Sequence, residues 1–306
     1  VEIEVNGLMT YDRALVKLDE AAMRAANLTV YTPPPPRRAE GATLVPPATP
    51  LVACDPYFSI WSPADRLTDE DTTHWTGKPH RLTSMIRIDG KPYRVMGASP
   101  AGVPALDQVD LAILPTRTAY RFQGGGLELV LMFLTPALPH NIDVLSRPVT
   151  YLVWGLKSLD GHKHDVAIYF DASSELTVND PAQAVVWSKE TFGPLVALKV
   201  GSKDQPVLAK KGDDLRIDWG YLYTAADSGR VQQALVAPAA ATRIAFVRNG
   251  SLPEAMDARH PRPANDDQPV AAMTFRLRGV GTEGDAERLM LAYDDLFSIQ
   301  YMKKNL

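Results

Sequence analysis

The only cysteine of the chain, Cys54, is a candidate nucleophile because histidines follow it at positions 74 and 80. A thiolate at Cys54 could attack a carbonyl carbon if His74 or His80 accepted the thiol proton. However, Cys54 ends the apolar run LVAC, which has the composition of a strand. A lone buried cysteine usually behaves as a small hydrophobic residue. The pattern therefore favours a structural role for Cys54.

Two further histidine-containing segments could hold a metal ion. DEDTTH at 69–74 combines carboxylates with His74, and carboxylate oxygens are ligands for calcium. GHKH at 161–164 places two histidines at alternate positions of a predicted hairpin turn, but it offers no third ligand. The spacing in 69–74 matches no known calcium loop. We therefore predict a solvated connection there, and neither a metal site nor a cofactor.

Paired carboxylates could serve glycoside hydrolysis, which needs two such groups across one cleft. The candidates lie in the segments DDLRIDWG and AYDD and are Asp213, Asp214, Asp218, Asp294 and Asp295. Asp218 precedes Trp219, so it could be an acid beside an aromatic platform for a sugar. An exposed strand end beside a core tryptophan is the simpler interpretation.

Several functional classes are excluded by their motifs or by charge. Residues 279–284 read GVGTEG, but no strand–helix–strand unit follows, so a hairpin loop is predicted there rather than a dinucleotide site. The sequence has no serine elbow, phosphate loop or H-E-x-x-H helix. A net charge of −4 without a basic stripe argues against nucleic acid. No apolar run approaches the ~20 residues that span a bilayer.

The elements that must position these residues are short strands. LTSMIRIDGKPYRVMG alternates around Asp89 and Gly90, a dipeptide that favours a tight hairpin turn. About a dozen such runs separated by turn signals predict an all-β protein, a large two-sheet (supersandwich-like) β-sandwich with a short N-terminal helical appendage. Helix is predicted mainly at 11–26. The predicted regions are an appendage at 1–32, a proline-rich linker at 33–50 and the sandwich at 51–306.

Four ordered blocks carry a resemblance to a known family. They are PLVACDPYFSIWS, HWTGKPHRLTSMIRIDGKPYRVMG, VAIYFDASSELTVN and LAYDDLFSIQYMKKNL, and together they span about 45–306. In these blocks the chain resembles the secreted glutaminase A family. The resemblance implies hydrolysis of L-glutamine to L-glutamate and ammonia by a secreted or periplasmic protein. It also implies that a C-terminal helical catalytic domain follows the β-sandwich as its partner. No catalytic residue of the family is carried over to a position in this chain.

The first block also yields the candidate site. CDPYFSIW is predicted to alternate, with Cys54, Pro56, Phe58 and Ile60 toward the core and Asp55, Tyr57, Ser59 and Trp61 on the other side. The predicted substrate-binding or domain-interface residues are Asp55, Tyr57, Trp61, His74 and Trp75. Aromatic and polar side chains in this mixture are typical of interfaces and ligand rims, and we favour an interface with the helical domain.

Three functions remain open from the sequence. The first is the β-sandwich region of a glutaminase-like amidohydrolase that is inactive alone, with glutamine as its small-molecule substrate. The second is a region of a carbohydrate-active hydrolase, and the third is a non-catalytic binding module. No nucleic-acid or membrane partner is expected.

Overall fold

The computed structural model describes residues 46–54, 56–297 and 299–305. The predicted helix at 11–26, most of the predicted linker and Asp55 lie outside the described residues. The first strand begins at Thr49, inside the segment assigned to the linker.

The described residues form a β-sandwich, which confirms the predicted fold class. The strands are β1 (Thr49–Ala53), β2 (Ser59–Ser62), β3 (Leu82–Ile88), β4 (Lys91–Met96), β5 (Asp107–Leu114), β6 (Arg117–Gly124), β7 (Leu127–Leu134), β8 (Val149–Ser158), β9 (His164–Ser173), β10 (Ala184–Phe192), β11 (Leu195–Ser202), β12 (Tyr221–Asp227), β13 (Val231–Pro238), β14 (Arg262–Pro263), β15 (Pro269–Val280), β16 (Asp285–Asp294), β17 (Gln300–Tyr301) and β18 (Lys304–Asn305). The helices are α1 (Ile142–Leu145), the 3-10 helix Ser174–Thr177 and α2 (Ala239–Asn249).

Two large antiparallel sheets face each other. One has nine strands in the order β14-β10-β11-β12-β16-β8-β7-β6-β5, and the other has five in the order β13-β15-β9-β3-β4. The remaining strands form the pairs β1-β2 and β17-β18. No helix among the described residues is long and apolar enough to cross a membrane.

The main core lies between the two large sheets. Alternate residues of β8, such as Leu152 and Trp154, pack in one cluster with Ile168 and Phe170 of β9. The indole Nε1 of Trp154 donates to the hydroxyl of Ser84 across the sandwich, at 3.1 Å. Because strand side chains alternate between faces, the intervening residues of the nine-stranded sheet point away from this core.

The predicted hairpin turns are confirmed where the sequence has residues suited to positive φ. Asp89 and Gly90 have φ of 48° and 83° and join β3 to β4. Gly125 and Gly126 have φ of 59° and 81° and join β6 to β7. Residues 281–284, by contrast, lead from β15 in the five-stranded sheet to β16 in the nine-stranded sheet, so the hairpin loop predicted for the glycine-rich segment is wrong.

One segment predicted as a strand is a helix. TRIAFVRNG, with its short apolar run IAFV, is one of the segments predicted as strands, but residues 239–249 form α2, which ends at Gly250 in the left-handed conformation with φ of 78°. Three consecutive alanines favour helix at its start, and glycine is the usual residue just after a helix. Phe246 packs with Tyr169 on the outer side of the five-stranded sheet. The prediction of a strand in this segment is therefore wrong, and the helix predicted at 11–26 is not the only one of the chain.

The connection at 161–164 is also not a hairpin turn. It leads from β8 in the nine-stranded sheet to β9 in the five-stranded sheet. His164 lies between two carboxylates, with Nδ1 2.7 Å from Asp89 and Nε2 3.1 Å from Asp160. His162 is exposed. The ion pairs of His164 with Asp89 and Asp160 thus hold the chain where it passes from one sheet to the other.

Candidate functional site

The stretch CDPYFSIW is not one alternating strand. The chain reverses between β1 and β2, which pair antiparallel with Val52 opposite Ile60. Phe58 and Ile60 are buried as predicted, but Ser59 is buried as well and Pro56 is exposed. Proline has no amide hydrogen to donate to a ladder, which suits a position in the reversal. Cys54 therefore lies in the bend after β1 and not within an apolar strand.

His74 and Trp75 hold this reversal in place. The carbonyl oxygen of Pro56 accepts from the indole Nε1 of Trp75 at 2.8 Å and lies 3.0 Å from Nε2 of His74. Because a carbonyl oxygen only accepts, Nε2 of His74 carries the proton. Nδ1 of His74 then accepts from Thr76, whose hydroxyl is 3.0 Å away. Burial lowers the pKa of His74. His74 is therefore neutral and holds the loop through its hydrogen bond to Pro56.

His80 lies behind His74 in the interior. Its ring is fully buried, 5.0 Å from the ring of His74, and its Nδ1 donates to the carbonyl oxygen of Ser59 at 3.0 Å. Burial lowers the pKa of His80 to about 3. Its Nε2 has no hydrogen-bond partner among the described residues. The hydrogen bonds of His74 and His80 therefore do not form the cysteine–histidine pair considered from the sequence.

A cavity of about 460 Å³ opens beside the reversal. It is walled by the loop after β1, the segment before β8, and strands β11, β12 and β16 with the residues that flank them. The lining residues are Cys54, Pro56, Tyr57, Ser146, Pro148, Val149, Phe192, Leu195, Ala197, Leu208, Ile217, Trp219, Tyr223, Ala225, Met290, Ala292, Tyr293, Asp294 and Asp295. Cavities of this size hold small ligands in many proteins.

The floor of the cavity is the outer face of the nine-stranded sheet. Ala197 of β11, Tyr223 of β12 and Ala292 of β16 line it, whereas their strand neighbours Leu198 and Leu222 belong to the core between the sheets. This face carries its own apolar cluster around Ala197, Tyr223 and Ala225. The alternation of the strands thus supplies an apolar floor without disturbing the sandwich core.

Aromatic side chains fix the side wall that is nearest to the reversal. The ring of Tyr57 meets that of Trp219 edge-on, with 5.8 Å between their centroids. The Tyr57 carbonyl accepts from the amide of Ile217 at 2.9 Å, and the hydroxyl of Tyr293 donates to the Trp219 carbonyl at 2.8 Å. Phe58 stacks behind Tyr293 at 4.6 Å. Residues far apart in the sequence are therefore held in one wall.

Asp294 and Asp295 bring negative charge to the cavity. Burial raises the pKa of Asp294, and the nearby charge of Asp295 raises it further. The amide of Leu296 donates to Asp294 at 3.0 Å, and this bond together with the charge of Lys199 opposes the rise. Burial and the charge of Asp294 also raise the pKa of Tyr223.

The structure separates the other candidate carboxylates from this cavity. Asp218 is buried, accepts from Lys210 at 2.6 Å and from Gln183 at 3.0 Å, and does not line the cavity. It is neither an exposed strand end nor an acid beside a sugar platform, although its neighbour Trp219 does line the cavity. Asp213 and Asp214 are exposed.

The segment 69–74 serves structure as well. Asp71 accepts from Arg81 at 3.0 Å and from the amide of Ala98 at 3.0 Å. Within the described residues, no group of three or more histidine, cysteine, aspartate or glutamate side chains could hold a metal ion.

Of the five predicted site residues, Tyr57 lines the cavity and is 38% exposed. Trp75 is 53% exposed, and His74 is buried beneath it. Trp61 is half-buried and donates to Ser59, and Asp55 lies outside the described residues. A role of these residues at a domain interface stays a prediction.

Sequence reasoning missed two aromatic residues of the cavity, Tyr223 and Tyr293, and considered Trp219 only as a platform beside Asp218. The concentration of aromatic residues in DWGYLY and LAYDD is the signal that could have indicated them. A strand pattern alone does not tell which outward-facing aromatic residues meet in space.

The chain is similar to an enzyme of known name over most of its length. "Glutaminase A" from Aspergillus oryzae is 28% identical over 268 residues, which cover 85% of this chain and 38% of the relative. The chain thus spans well under half of that relative. The solved structure of the Slr1438 protein from Synechocystis aligns with a TM-score of 0.40 and 9% identity, over 84% of this chain and 99% of that one. Similarity at that level carries no inference.

Two family models also match. The domain of unknown function DUF4964 matches residues 26–106. The domain of unknown function DUF5127 matches residues 116–306, which is more than half of the 306 residues. The chain belongs to the DUF5127 family.

Proposed function

We propose that the chain is the N-terminal β-sandwich region of a glutaminase-like amidohydrolase that converts L-glutamine to L-glutamate and ammonia. The observation that carries the proposal is the 28% identity to a glutaminase A along 85% of this chain. The β-sandwich fold agrees with the fold that the sequence resemblance implies for this part of the protein. A secreted or periplasmic location, implied by the same resemblance, stays a prediction.

The cavity beside the reversal is the part of this chain that we assign to the substrate side of the enzyme. It gathers Cys54 and Tyr57 from the first resembling block and Asp294 and Asp295 from the last. His74 and Trp75 from the second block hold the reversal by hydrogen bonds to the carbonyl oxygen of Pro56. Residues from three of the four blocks that carry the resemblance therefore lie around this cavity.

A second domain completes the proposed enzyme. Amide hydrolysis needs an activated nucleophile or water, together with donors aimed at the developing oxyanion. The hydrogen bonds of His74 and His80 are made to Pro56, Thr76 and Ser59. This chain covers 38% of the length of the relative, which leaves room there for a helical catalytic domain. Exposed Trp75 and Tyr57 are suited to face that domain.

Ammonia release from glutamine tests the proposal. The natural full-length protein that contains this chain should release ammonia, and residues 1–306 alone should not, because most of the transition-state stabilisation would come from the second domain. If the full-length protein leaves glutamine intact, the proposal is wrong. If residues 1–306 alone turn over glutamine and Cys54→Ala abolishes the turnover, the cysteine mechanism replaces it.

A carbohydrate-active hydrolase remains the second candidate. The observation that favours it is the cavity itself, where two carboxylates lie among five aromatic side chains. Release of reducing sugar from oligosaccharides by the full-length protein, without ammonia from glutamine, would support this candidate. Binding of a sugar or glutamine by a full-length protein with neither activity would support a non-catalytic binding module.

A further inference from the structure

His164 lies between two carboxylates at the opposite end of the sandwich from the cavity. Val149 at the start of β8 lines the cavity, whereas the crossing that leads to His164 follows the last residue of that strand. Nδ1 of His164 is 2.7 Å from Asp89, Nε2 is 3.1 Å from Asp160, and the residue is 7% exposed. The three side chains therefore form a cluster that is separate from the cavity.

The geometry of this cluster determines how many protons the ring carries. The pKa of Asp89 is lowered by its hydrogen bond with His164, and that of Asp160 by the amide of His162 and by His164, so both carboxyl groups are ionised at neutral pH. A carboxylate oxygen only accepts a hydrogen bond, so both ring nitrogens must carry a proton to make the two contacts. His164 is therefore an imidazolium ion in this arrangement.

The two carboxylates lie on different connections of the sandwich. Asp89 is in the turn between β3 and β4 of the five-stranded sheet. Asp160 is in the crossing from β8 to β9, where the amide of Leu159 donates to the carbonyl oxygen of Gly126 at 2.8 Å. A Cβ on Gly126 would lie 2.8 Å from the ring of His164, so the turn between β6 and β7 also packs against the ring. His164 thus joins connections of both large sheets.

Few other charges act on this cluster. The charges that shift the pKa of His164 are those of Asp89 and Asp160. Arg87, near the turn between β3 and β4, donates to the carbonyl oxygens of Phe246 and Val247 instead. The other titratable residues on the neighbouring connections are exposed, namely Lys91, His162, Lys163, Asp165, Arg278 and Glu283. A response of this end of the sandwich to pH near neutrality is therefore assigned to His164.

We propose that protonation of His164 holds this end of the sandwich closed and that its deprotonation opens it locally. A neutral imidazole ring has one donor, so it can keep its hydrogen bond to Asp89 or to Asp160 but not to both. The lone pair of its other nitrogen would then face a carboxylate, and that contact would be repulsive. The connections that the ring joins would separate as a result.

The direction of the response follows from the two hydrogen bonds. They raise the pKa of His164 above its ordinary value of 6.5. The closed arrangement is therefore fully stabilised below pH 6.5 and loses this stabilisation as the pH rises through the folded pKa. Histidine suits such a role, because its charge changes close to neutral pH.

Hydrogen–deuterium exchange of the 306-residue chain at pH 6, 7, 8 and 9 tests the inference, with exchange times scaled to the chemical rate at each pH. Protection of peptides that cover 86–92 and 158–166 should fall about tenfold from pH 6 to pH 9, because hydrogen bonds to charged groups are the stronger ones. A peptide that covers 72–80 is the internal reference. The pKa values of His74 and His80 are lowered, so this peptide should not lose protection as the pH rises. Constant protection at 86–92 and 158–166 would overturn the inference.

Variants identify the group that titrates. In His164→Gln the protection of these two peptides should no longer fall with pH, whereas the control His162→Gln changes an exposed histidine of the same connection and should keep the wild-type response. A His164→Gln variant with the wild-type response would refute the assignment. If this variant fails to fold, the NMR titration of the His164 ring decides. Its midpoint should lie above 6.5 in wild type and should be lower in Asp89→Asn, which removes one carboxylate. A wild-type midpoint at or below 6.5, or an unchanged midpoint in Asp89→Asn, would contradict the proposal.

Discussion

Lowering the pH from 7 to 5 should destabilise the folded chain through His80. Burial lowers the pKa of His80 from an ordinary value of 6.5 to about 3 in the folded protein. Between these two values the unfolded chain binds a proton that the folded chain does not bind, so the free energy of unfolding falls as the pH falls. At about 1.4 kcal/mol per pH unit, the loss between pH 7 and pH 5 is roughly 2 kcal/mol.

Two other histidines also make the stability of the folded chain depend on pH in the same range. The pKa of His74 is also lowered by burial, so His74 adds to the loss at acidic pH. The pKa of His164 is raised by its hydrogen bonds to Asp89 and Asp160. Its contribution to stability is therefore full below pH 6.5 and is lost as the pH rises through the folded pKa. A variant is therefore needed to separate the contribution of His80 from those of His74 and His164.

Urea unfolding at pH 7, 6 and 5 measures the effect, with His80→Asn as the test variant. The asparagine amide can donate to the Ser59 carbonyl in place of Nδ1 but does not titrate. The fall in unfolding free energy from pH 7 to pH 5 should be smaller in this variant by roughly 2 kcal/mol. His162→Asn changes an exposed histidine and should keep the wild-type pH dependence. The same pH dependence in His80→Asn and wild type would refute the reasoning.

Three further predictions concern stability and docking. Arg243→Met removes the side chain that makes two hydrogen bonds to the buried carboxylate of Asp171, and it should lower the free energy of unfolding by about 3–5 kcal/mol. The control Arg248→Met, on the exposed side of the same helix, should lower it by less than about 0.5 kcal/mol. Equal losses in the two variants would contradict the role of the buried pair. Gly126→Ala should lower the melting temperature, because φ is +81° and the new Cβ would collide with the carboxylate of Asp160. An unchanged melting temperature would contradict the need for glycine in this turn. Trp75→Ala should weaken binding of a separately expressed helical domain, measured by titration, because the side chain is 53% exposed; it should also lower the free energy of unfolding by about 1 kcal/mol, because the hydrogen bond to Pro56 is lost. Unchanged binding would remove Trp75 from the interface.

Local patterns were enough to predict the fold class and the hairpins that join β3 to β4 and β6 to β7. Asp89 and Gly90 adopt the positive φ values that their side chains tolerate, whatever the rest of the chain does. The helix at 239–249 was mistaken for a strand because periodicity cannot distinguish the short apolar run at 244–247 in a strand from the same run in a buried helix. Packing of Phe246 against Tyr169 helps to hold that segment as a helix, and such packing overrides local preference.

The cavity could not be predicted because its residues meet only in the folded chain. Tyr57 and Trp219 are in contact because β1 and β2 reverse the chain beside the segment before β12. The pairing of β12 with β16 brings Tyr223 and Asp294 to one face of the sheet. A candidate such as Asp218 looked attractive next to Trp219, but adjacent residues can lie in different environments, and Asp218 is paired with Lys210.

Steady-state glutamine hydrolysis by the natural full-length protein tests the central claim most directly. It is measured for the wild type, for a cavity variant that combines Asp294→Asn with Asp295→Asn, and for the control Asp213→Asn. The account predicts ammonia release by wild type and by Asp213→Asn. It predicts a kcat/KM at least about tenfold lower for the cavity variant, because charged groups at a substrate are worth more than ~1.4 kcal/mol. Absence of ammonia release by wild type, or full activity of the cavity variant, would contradict the assignment of this cavity to the site of a glutaminase-like enzyme.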